Sequence, residues 1–136
     1  MSTEENKTVV RRLVDEVINQ GNLDAADEFF SPQLATQAKQ GFSMFRAAFP
    51  DWREDIVELV AEGNKVVGRF RCTGTQQGEF MGFPPTGKRM EVDEVYFLTV
   101  EGGRIVDFFG VEDNLARLQQ LGVIPAADQP AREVGA

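Results

Sequence analysis

Asp113 is the acidic residue best placed in the sequence to act as a general base. It stands where a strand-like run, Ile105–Asp113, meets a short helical run, Asn114–Leu121. If the strand alternates regularly, Phe109 and Val111 share its face. A carboxylate beside such apolar side chains has a raised pKa, because burial disfavours its charged form, and this suits a base. The alternative is that Asp113 is the N-cap of the closing helix, since aspartate is among the preferred caps.

Further polar side chains lie in the middle of a second strand-like run, Met90–Val100. Alternation puts Asp93 and Glu94 on opposite faces, so one carboxylate must point toward the more apolar face. We expect Asp93 to contribute to a binding site; the alternative is an ion pair with an arginine of the neighbouring strand. Tyr96 could hold or protonate a carbonyl oxygen, or pack in the core with its hydroxyl at the rim.

The chain contains no histidine. Imidazole therefore cannot act as base, acid or metal ligand, which excludes histidine-based triads and most transition-metal sites. Acid–base chemistry must come from a carboxylate, Tyr96, a lysine or bound water. The sequence also has no phosphate-binding glycine loop before a helix and no nucleophile elbow. We therefore expect neither a metal nor a cofactor.

Residues 74–87 form a segment rich in glycine and proline that lies between two predicted strands. It is too long for a tight hairpin turn, and Phe80, Met81 and Phe83 are more apolar than a solvated loop needs. A loop of this kind folds back over a pocket mouth or a partner surface. We expect these three side chains to cover a pocket; the alternative is that they seal a dimer or one end of the domain.

Four other residues are candidates for contact with a ligand. Trp52 could stack on a flat ligand, or pack at the start of a strand. Thr36 and Gln37 could orient a ligand carbonyl, or make hydrogen bonds within a loop. Phe109 shares the predicted face of Asp113 and is therefore placed beside the same ligand.

The order of predicted elements is that of an α+β domain. Apolar residues at helical spacing predict a helix from the Ser2–Glu5 capping box to Gly21. Two more helices are predicted at Leu23–Phe30, which Pro32 terminates, and at Phe42–Phe49. The predicted strands are Trp52–Glu62, Val66–Thr73, Met90–Val100 and Ile105–Asp113. A twisted antiparallel sheet can curl around the helices and enclose an apolar pocket.

The composition agrees with one domain, residues 1–124, followed by a flexible tail, residues 125–136. Hydrophobic residues make up 42% of the 136 residues, and the eleven phenylalanines predict a large apolar interior or cavity. The net charge of −8 argues against nucleic acid or an anionic membrane as a partner. The polar N-terminus is no signal peptide, and no run reaches membrane-spanning length, so we expect a cytoplasmic protein.

Four segments resemble the SnoaL-like polyketide cyclases, which belong to the broad group with the cone fold of the nuclear transport factor 2 type. They are the end of the third helix, the glycine- and proline-rich loop, the last hairpin and the closing helix, at residues 47–51, 74–87, 103–106 and 113–122. The resemblance extends over residues 9–123, nearly the whole chain. It implies a cone-shaped α+β fold with an apolar pocket for a small hydrophobic molecule, and a homodimer formed through the outer face of the sheet.

The resemblance also implies a reaction. Characterised members close a ring by an intramolecular aldol reaction, with an aspartate as acid/base and no metal. Asp113 matches the position of that aspartate. Where members often carry histidine, this chain has Gln37, Gln76 and Phe108-Phe109. The exchange of histidine for glutamine keeps a hydrogen-bonding group but removes proton transfer.

The sequence thus favours a cofactor-independent enzyme acting on a small hydrophobic, carbonyl-bearing molecule. Asp113 would be the base, and Tyr96, Thr36 or Gln37 would steady the developing oxyanion. One alternative is hydrolysis, such as epoxide opening, which needs one of the two mid-strand acids in the same pocket as Asp113. The other is a non-catalytic small-molecule-binding or dimerisation module, favoured if Asp113 only caps its helix and no other carboxylate faces the cavity.

Overall fold

A computed structural model describes residues 1–126 of the chain. The helices are α1 (Thr3–Arg12), a π-helical continuation (Leu13–Asn19), a 3₁₀ turn (Leu23–Ala25), α2 (Ala26–Phe29), α3 (Pro32–Ala48) and α4 (Asn114–Gln120). The strands are β1 (Arg53–Glu62), β2 (Lys65–Thr75), β3 (Arg89–Glu101) and β4 (Arg104–Glu112). The tail predicted at residues 125–136 lies almost wholly outside the described residues. Within residues 1–126, none of the helices is long and apolar enough to cross a membrane.

The first helix begins and ends at the residues that the sequence predicts. Ser2 Oγ accepts a hydrogen bond from the Glu5 amide at 3.0 Å, and Glu5 Oε1 accepts one from the Ser2 amide at 2.9 Å. This reciprocal pair satisfies two of the amides that a helix start leaves free. Gly21 then takes a φ of +74°, a backbone conformation that glycine adopts at little cost.

Helix α3 is longer than predicted, because it starts at Pro32 rather than at Phe42. The sequence analysis treated Pro32 only as the end of the preceding helix. The amide hydrogens of the first helical turn have no partner within the helix, so proline, which lacks one, loses no hydrogen bond there. Its fixed φ also suits that position, and Pro32 therefore starts the next helix. The longer helix places Gln37 and Gly41 on a wall that faces the sheet.

Four antiparallel strands form one sheet in the order β1-β2-β3-β4. Glycines with positive φ at Gly63 and at Gly102 and Gly103 make the predicted hairpin turns. In the register, Phe70 lies opposite Glu94, and Tyr96 lies opposite Gly110. The α+β prediction is therefore confirmed.

The two faces of the sheet differ sharply. Alternate residues of β2 from Val66 to Cys72 are buried against the helices. On the opposite face, which we call the outer face, Val60, Phe97, Phe109 and Val111 are exposed. The core thus lies between the helices and the inner face of the sheet, and one strip of the outer face remains apolar.

Candidate functional site

A cavity of about 330 Å³ lies between the helices and the inner face of the sheet. It is within the size range of small-molecule sites. Most of its wall is apolar and comes from α1, its π-helical continuation, the C-cap of α2, α3 and three strands: Val10, Leu13, Val14, Ile18, Phe30, Ala38, Phe42, Phe45, Phe70, Leu98 and Phe108. Its polar and charged lining residues are Gln37, Trp52, Glu54, Glu94, Tyr96 and Glu112.

Glu54 and Glu94 form a buried carboxyl pair at the cavity wall. Their exposed fractions are 5% and 4%, and oxygen atoms of the two side chains lie within 4.8 Å of each other. Trp52 Nε1 donates to Glu54 Oε2 at 2.7 Å, whereas the buried Glu54 Oε1 has no hydrogen-bond partner in the described structure. A proton between the two carboxyls would satisfy that oxygen.

Burial is the main reason that this pair holds a proton. Desolvation first, and then the charge of Glu54, raises the pKa of Glu94 to about 10. Desolvation also raises the pKa of Glu54. Two carboxyls that interact this strongly titrate as a unit, so the raised pKa belongs to the pair. At neutral pH the pair therefore keeps at least one proton.

Arg117 lies behind the carboxyl pair and is 0% exposed. Its Nη2 donates to Glu94 Oε2 and its Nη1 to Glu112 Oε1, both at 2.9 Å. Nη1 also bonds Asn114 Oδ1, and Nη2 lies 3.6 Å from Cys72 Sγ. The charges on Glu94 and Glu112 are thereby partly compensated within the protein, because a buried charge without a partner is costly.

Tyr96 completes the polar part of the wall. Its hydroxyl donates to Glu112 Oε2 at 3.1 Å. Burial first, and then the negative charges of Glu94 and Glu112, raises the pKa of the Tyr96 phenol above its ordinary value. The phenol therefore stays protonated and remains a hydrogen-bond donor at neutral pH.

Glu54, Cys72 and Glu94 are close enough together to be considered as metal ligands. Cysteine binds metals as a thiolate, but burial and the two carboxylates raise the pKa of this thiol. The Arg117 guanidinium, moreover, already contacts both Cys72 and Glu94. Because a cation already lies against two of the three donors, the donor set does not fit a metal ion well.

Three of the residues singled out from the sequence do line the cavity: Gln37, Trp52 and Tyr96. Gln37 comes from α3, Trp52 precedes β1, and Tyr96 lies on the inner face of β3. Their part in binding a ligand stays a prediction. Thr36, the neighbour of Gln37, is exposed and is not part of the cavity wall.

Asp113 is the N-cap of α4. Its Oδ1 accepts a hydrogen bond from the Ala116 amide at 3.0 Å, and the residue is exposed. It is absent from the described cavity wall. The placement thus corresponds to the capping alternative and gives no support to Asp113 as a base.

Asp93 and Phe109 lie on the outer face, not in the cavity. Arg71 Nε donates to Asp93 Oδ1 at 3.0 Å, so Asp93 takes the ion-pair alternative. Phe109 is 63% exposed, and its ring centroid is 6.3 Å from that of Phe97. Strand alternation turns their neighbours Glu94 and Phe108 toward the cavity instead.

The loop after β2 covers the end of α3 rather than the cavity. The amides of Gln77 and Gly78 donate to the Ala48 carbonyl, and the Phe80 ring centroid lies 5.2 Å from that of Phe49. Met81 is 60% exposed at the tip. Neither these residues nor Phe83 belongs to the described cavity wall, so the loop seals one end of the domain, which was the alternative prediction.

Gln76 holds this loop in shape. The residue is fully buried, and its Nε2 donates to the carbonyls of Gly78, Phe83 and Pro84 at 3.1 to 3.2 Å. Its Oε1 accepts from the Thr86 hydroxyl at 2.9 Å. Its role here is structural, since all its polar atoms are used within the loop.

One side of the cavity opens between α3 and β4. Gln37 and Gly41 lie one turn apart on α3, and Phe108 on β4 is 39% exposed while lining the cavity. A Cβ at Gly41 would have no atom within 4 Å. Packing therefore does not require glycine at this position in the helix interior.

Sequence reasoning missed Glu54, Glu112 and Arg117. A signal for Glu54 was its spacing from Trp52, since residues two apart in a strand share a face. Arg117 lies four residues before Leu121, on the buried side of α4. An arginine at an apolar position of a helix predicts a buried acidic partner.

Comparison with known proteins places this geometry in context. A family model described as SnoaL-like polyketide cyclase matches residues 8–121. The chain is 26% identical to AclR of Streptomyces galilaeus, proposed to be a hydroxylase, with a TM-score of 0.86 over 98% of this chain and 91% of that one. It is 26% identical to a protein of Jannaschia sp. CCS1 proposed to be a SnoaL-like polyketide cyclase, with a TM-score of 0.82 over 90% and 95%.

A third solved structure is IdmH of Streptomyces antibioticus, proposed to be a polyketide cyclase. It is 27% identical, with a TM-score of 0.74 over 86% of this chain and 98% of that one. No curated protein matches the chain significantly. The cone-shaped α+β fold is confirmed by these neighbours.

Proposed function

Because the chain belongs to the SnoaL-like polyketide cyclase family, we propose that it catalyses ring closure or isomerisation of a small, apolar, carbonyl-bearing molecule without a cofactor. The observation that carries this proposal is the buried Glu54–Glu94 pair at the wall of an apolar cavity, where burial raises the pKa of both carboxyls. One carboxyl of the pair is a base and the other an acid, at the same place and the same pH.

The reaction begins with removal of a proton from the carbon next to a carbonyl group. The ionised carboxyl of the pair takes that proton, and the carbonyl becomes an enolate. In ring closure, the enolate carbon attacks a second carbonyl of the same molecule, forming a carbon–carbon bond and an alkoxide. The neutral carboxyl protonates the alkoxide, so the pair again holds one proton and no atom is gained or lost.

Tyr96 and Gln37 stabilise the oxygen on which negative charge develops in this proposal. The Tyr96 hydroxyl lies at the polar part of the cavity, and in this proposal it turns from Glu112 to the ligand oxygen. The side-chain amide of Gln37 donates to the same oxygen from α3. Trp52 provides a flat apolar wall and fixes Glu54 through its indole N–H.

The proposal is tested by proton exchange with 2-tetralone, a small apolar ketone. The wild-type protein in deuterium oxide should accelerate deuterium uptake next to the carbonyl, measured by proton NMR. Glu94→Gln and Glu54→Gln should reduce this rate by about a hundredfold or more, the usual contribution of a general acid or base. Glu62→Gln, at the exposed end of β1, is the matched control. A wild-type rate equal to that of buffer would contradict the proposal.

Hydrolysis of an epoxide is the second candidate. The observation in its favour is that three carboxyl groups, Glu54, Glu94 and Glu112, line one cavity. An ionised carboxyl would activate water while a neutral one protonates the epoxide oxygen. The sequence analysis required Asp93 or Glu94 in the same pocket as Asp113 for this reaction. Glu94 does line the cavity, but the second carboxyl beside it is that of Glu54. Incorporation of oxygen-18 from water into a diol formed from styrene oxide would favour this candidate.

We also infer that two copies of the chain associate through the outer face of the sheet. Val60, Phe97, Phe109 and Val111 are between 48% and 63% exposed there, and exposed apolar patches mark interaction sites. Sedimentation of the wild type should give a dimer, whereas Phe109→Asp should give a monomer. A monomeric wild type would contradict the inference.

A further inference from the structure

We propose that the cavity selects uncharged or positively charged ligands and excludes free carboxylic acids. The inference rests on the proposed function only in taking this cavity as the ligand site. It concerns the charge of the ligand, which the apolar walls and the reaction type leave open.

The charged groups that face the cavity are all acidic. Glu54, Glu94 and Glu112 line it, and no lysine or arginine belongs to its wall in residues 1–126. The compensating cation, Arg117, lies behind these carboxyls and has no exposed surface. A ligand in the cavity therefore meets the carboxyls before the guanidinium.

Arg117 also has no terminal donor left for a ligand. Nη1 is bonded to Glu112 and Asn114, and Nη2 to Glu94 and the Cys72 sulfur. Only Nε lacks a partner among the described residues, and it is buried. A ligand carboxylate could bind this arginine only by displacing a protein carboxylate, which gains no charge compensation.

A second arginine, which lies beside the cavity, is also engaged. Arg46 lines a smaller neighbouring cavity of about 210 Å³, which shares Phe42 and Trp52 with the main one. Its Nη1 donates to the carbonyls of Pro50 and Trp52, at 3.3 and 3.1 Å. Its charge is thus directed at backbone oxygens rather than at the main cavity.

Acidic groups outnumber basic ones at the wall. Three carboxyl groups, Glu54, Glu94 and Glu112, line the cavity, and the single guanidinium of Arg117 lies buried behind them. A carboxylate brought against this wall would meet the buried Glu54 and Glu94 and the more exposed Glu112, and charges interact more strongly at buried groups than in water. A ketone is not repelled and can accept a hydrogen bond from the side-chain amide of Gln37, which lines the cavity.

Three ligands of matched shape test the proposal: 4-phenylbutan-2-one, 3-phenylpropanoate and 3-phenylpropylamine. Trp52 is the only tryptophan of the chain and lines the cavity, so its fluorescence reports binding. At about pH 7, the ketone and the amine should bind at least about tenfold more tightly than the carboxylate. Equal or tighter binding of the carboxylate would overturn the proposal, as would a lack of binding by all three.

Two variants identify the cause of the selectivity. Glu112→Gln removes one negative charge, keeps an acceptor for Arg117 and leaves the carboxyl pair in place; it should reduce the discrimination against the carboxylate by about tenfold. Glu62→Gln makes the same change of net charge at an exposed site and should have no effect. If both variants bind like the wild type, cavity charge is not the cause and the proposal fails.

The two proposals can fail separately. If the protein binds the ketone and the amine more tightly than the carboxylate but does not accelerate deuterium exchange into 2-tetralone, the proposal of charge selection stands and the proposed reaction is contradicted. If it accelerates the exchange but binds all three ligands equally, the proposed reaction stands and charge selection is contradicted.

Discussion

The ring of Tyr96 on β3 lies across Gly110 on β4, in the space that any larger residue at 110 would need. A Cβ at Gly110 would come within 2.2 Å of Tyr96 Cε1. The register pairs Tyr96 with Gly110 on one side and with Gly68 on the other. The missing side chain at Gly110 thus allows the Tyr96 hydroxyl to reach Glu112.

Gly110→Ala should therefore displace Tyr96. Once the phenol leaves its buried position beside Glu94 and Glu112, the causes that raise its pKa are lost. The pKa of Tyr96 should fall toward the ordinary value of about 10. Ultraviolet difference absorbance measures this directly, because Tyr96 is the only tyrosine of the chain. Gly41→Ala, where a Cβ has free space, is the control, and an unchanged pKa in Gly110→Ala would contradict the prediction.

The Glu54–Glu94 pair should make the protein less stable as the pH rises. An unfolded glutamate releases its proton near 4.5, whereas the folded pair keeps one proton up to about 10. Between these values the native protein binds more protons than the unfolded chain, so the free energy of unfolding falls with increasing pH.

Glu54→Gln should remove much of this dependence. The glutamine can accept from Trp52 and donate to Glu94, and only one carboxyl then remains. At about pH 8 the variant should be more stable than the wild type by on the order of 1–2 kcal/mol, and at about pH 5 nearly equal to it. Urea unfolding followed by circular dichroism measures both. A variant destabilised equally at the two pH values would show that the pair carries no shared proton.

Loss of Arg117 should destabilise the protein far more than loss of an exposed arginine. Arg117→Met leaves Glu94 and Glu112 without their buried partner, at a cost of about 3–5 kcal/mol. Arg71→Met is the matched control: it breaks the bond to Asp93 on the outer face, where the side chain is 42% exposed, and should cost about 1 kcal/mol or less. Denaturant unfolding near neutral pH measures both, and similar costs would contradict a buried network.

Substitution of Asp113 separates capping from catalysis. Asp113→Asn keeps an N-cap acceptor, so stability should change little, whereas Asp113→Ala should cost about 0.5–2 kcal/mol. Because the structure places Asp113 outside the cavity, Asp113→Asn should also keep the wild-type rate of deuterium exchange into 2-tetralone. A large loss of rate in a stable Asp113→Asn protein would instead support Asp113 as the base.

Much of the fold follows from local pattern. The capping box at Ser2, the glycine turns and the alternation of β2 predict their elements to within a few residues. The start of α3 was missed because proline ends one helix and begins another by the same property, its fixed φ. Whether a proline only ends one helix or also starts another depends on whether the residues after it pack against the rest of the domain. That packing is a tertiary effect.

The candidate site was less predictable. Alternation shows that Asp93 and Glu94 face opposite ways, but only the assembled sheet shows which face the helices cover. The partnership of Glu54 with Glu94 joins β1 to β3 across β2, and no sequence spacing encodes such a contact. The absence of histidine restricts acid–base chemistry to a carboxylate, Tyr96, a lysine or bound water, and of these side chains the described cavity wall carries carboxyls and Tyr96.

Gly41 offers a position at which this protein could be redesigned. A glycine in a helix interior is less stable than alanine by roughly 0.5–1 kcal/mol, and here no contact requires it. Small residues at 41 should strengthen α3 while leaving the opening passable, and larger ones should narrow it step by step. The residue at position 41 thus affects both the stability of α3 and the size of the molecules that the opening admits, which makes it a suitable first site for a library aimed at new ligands.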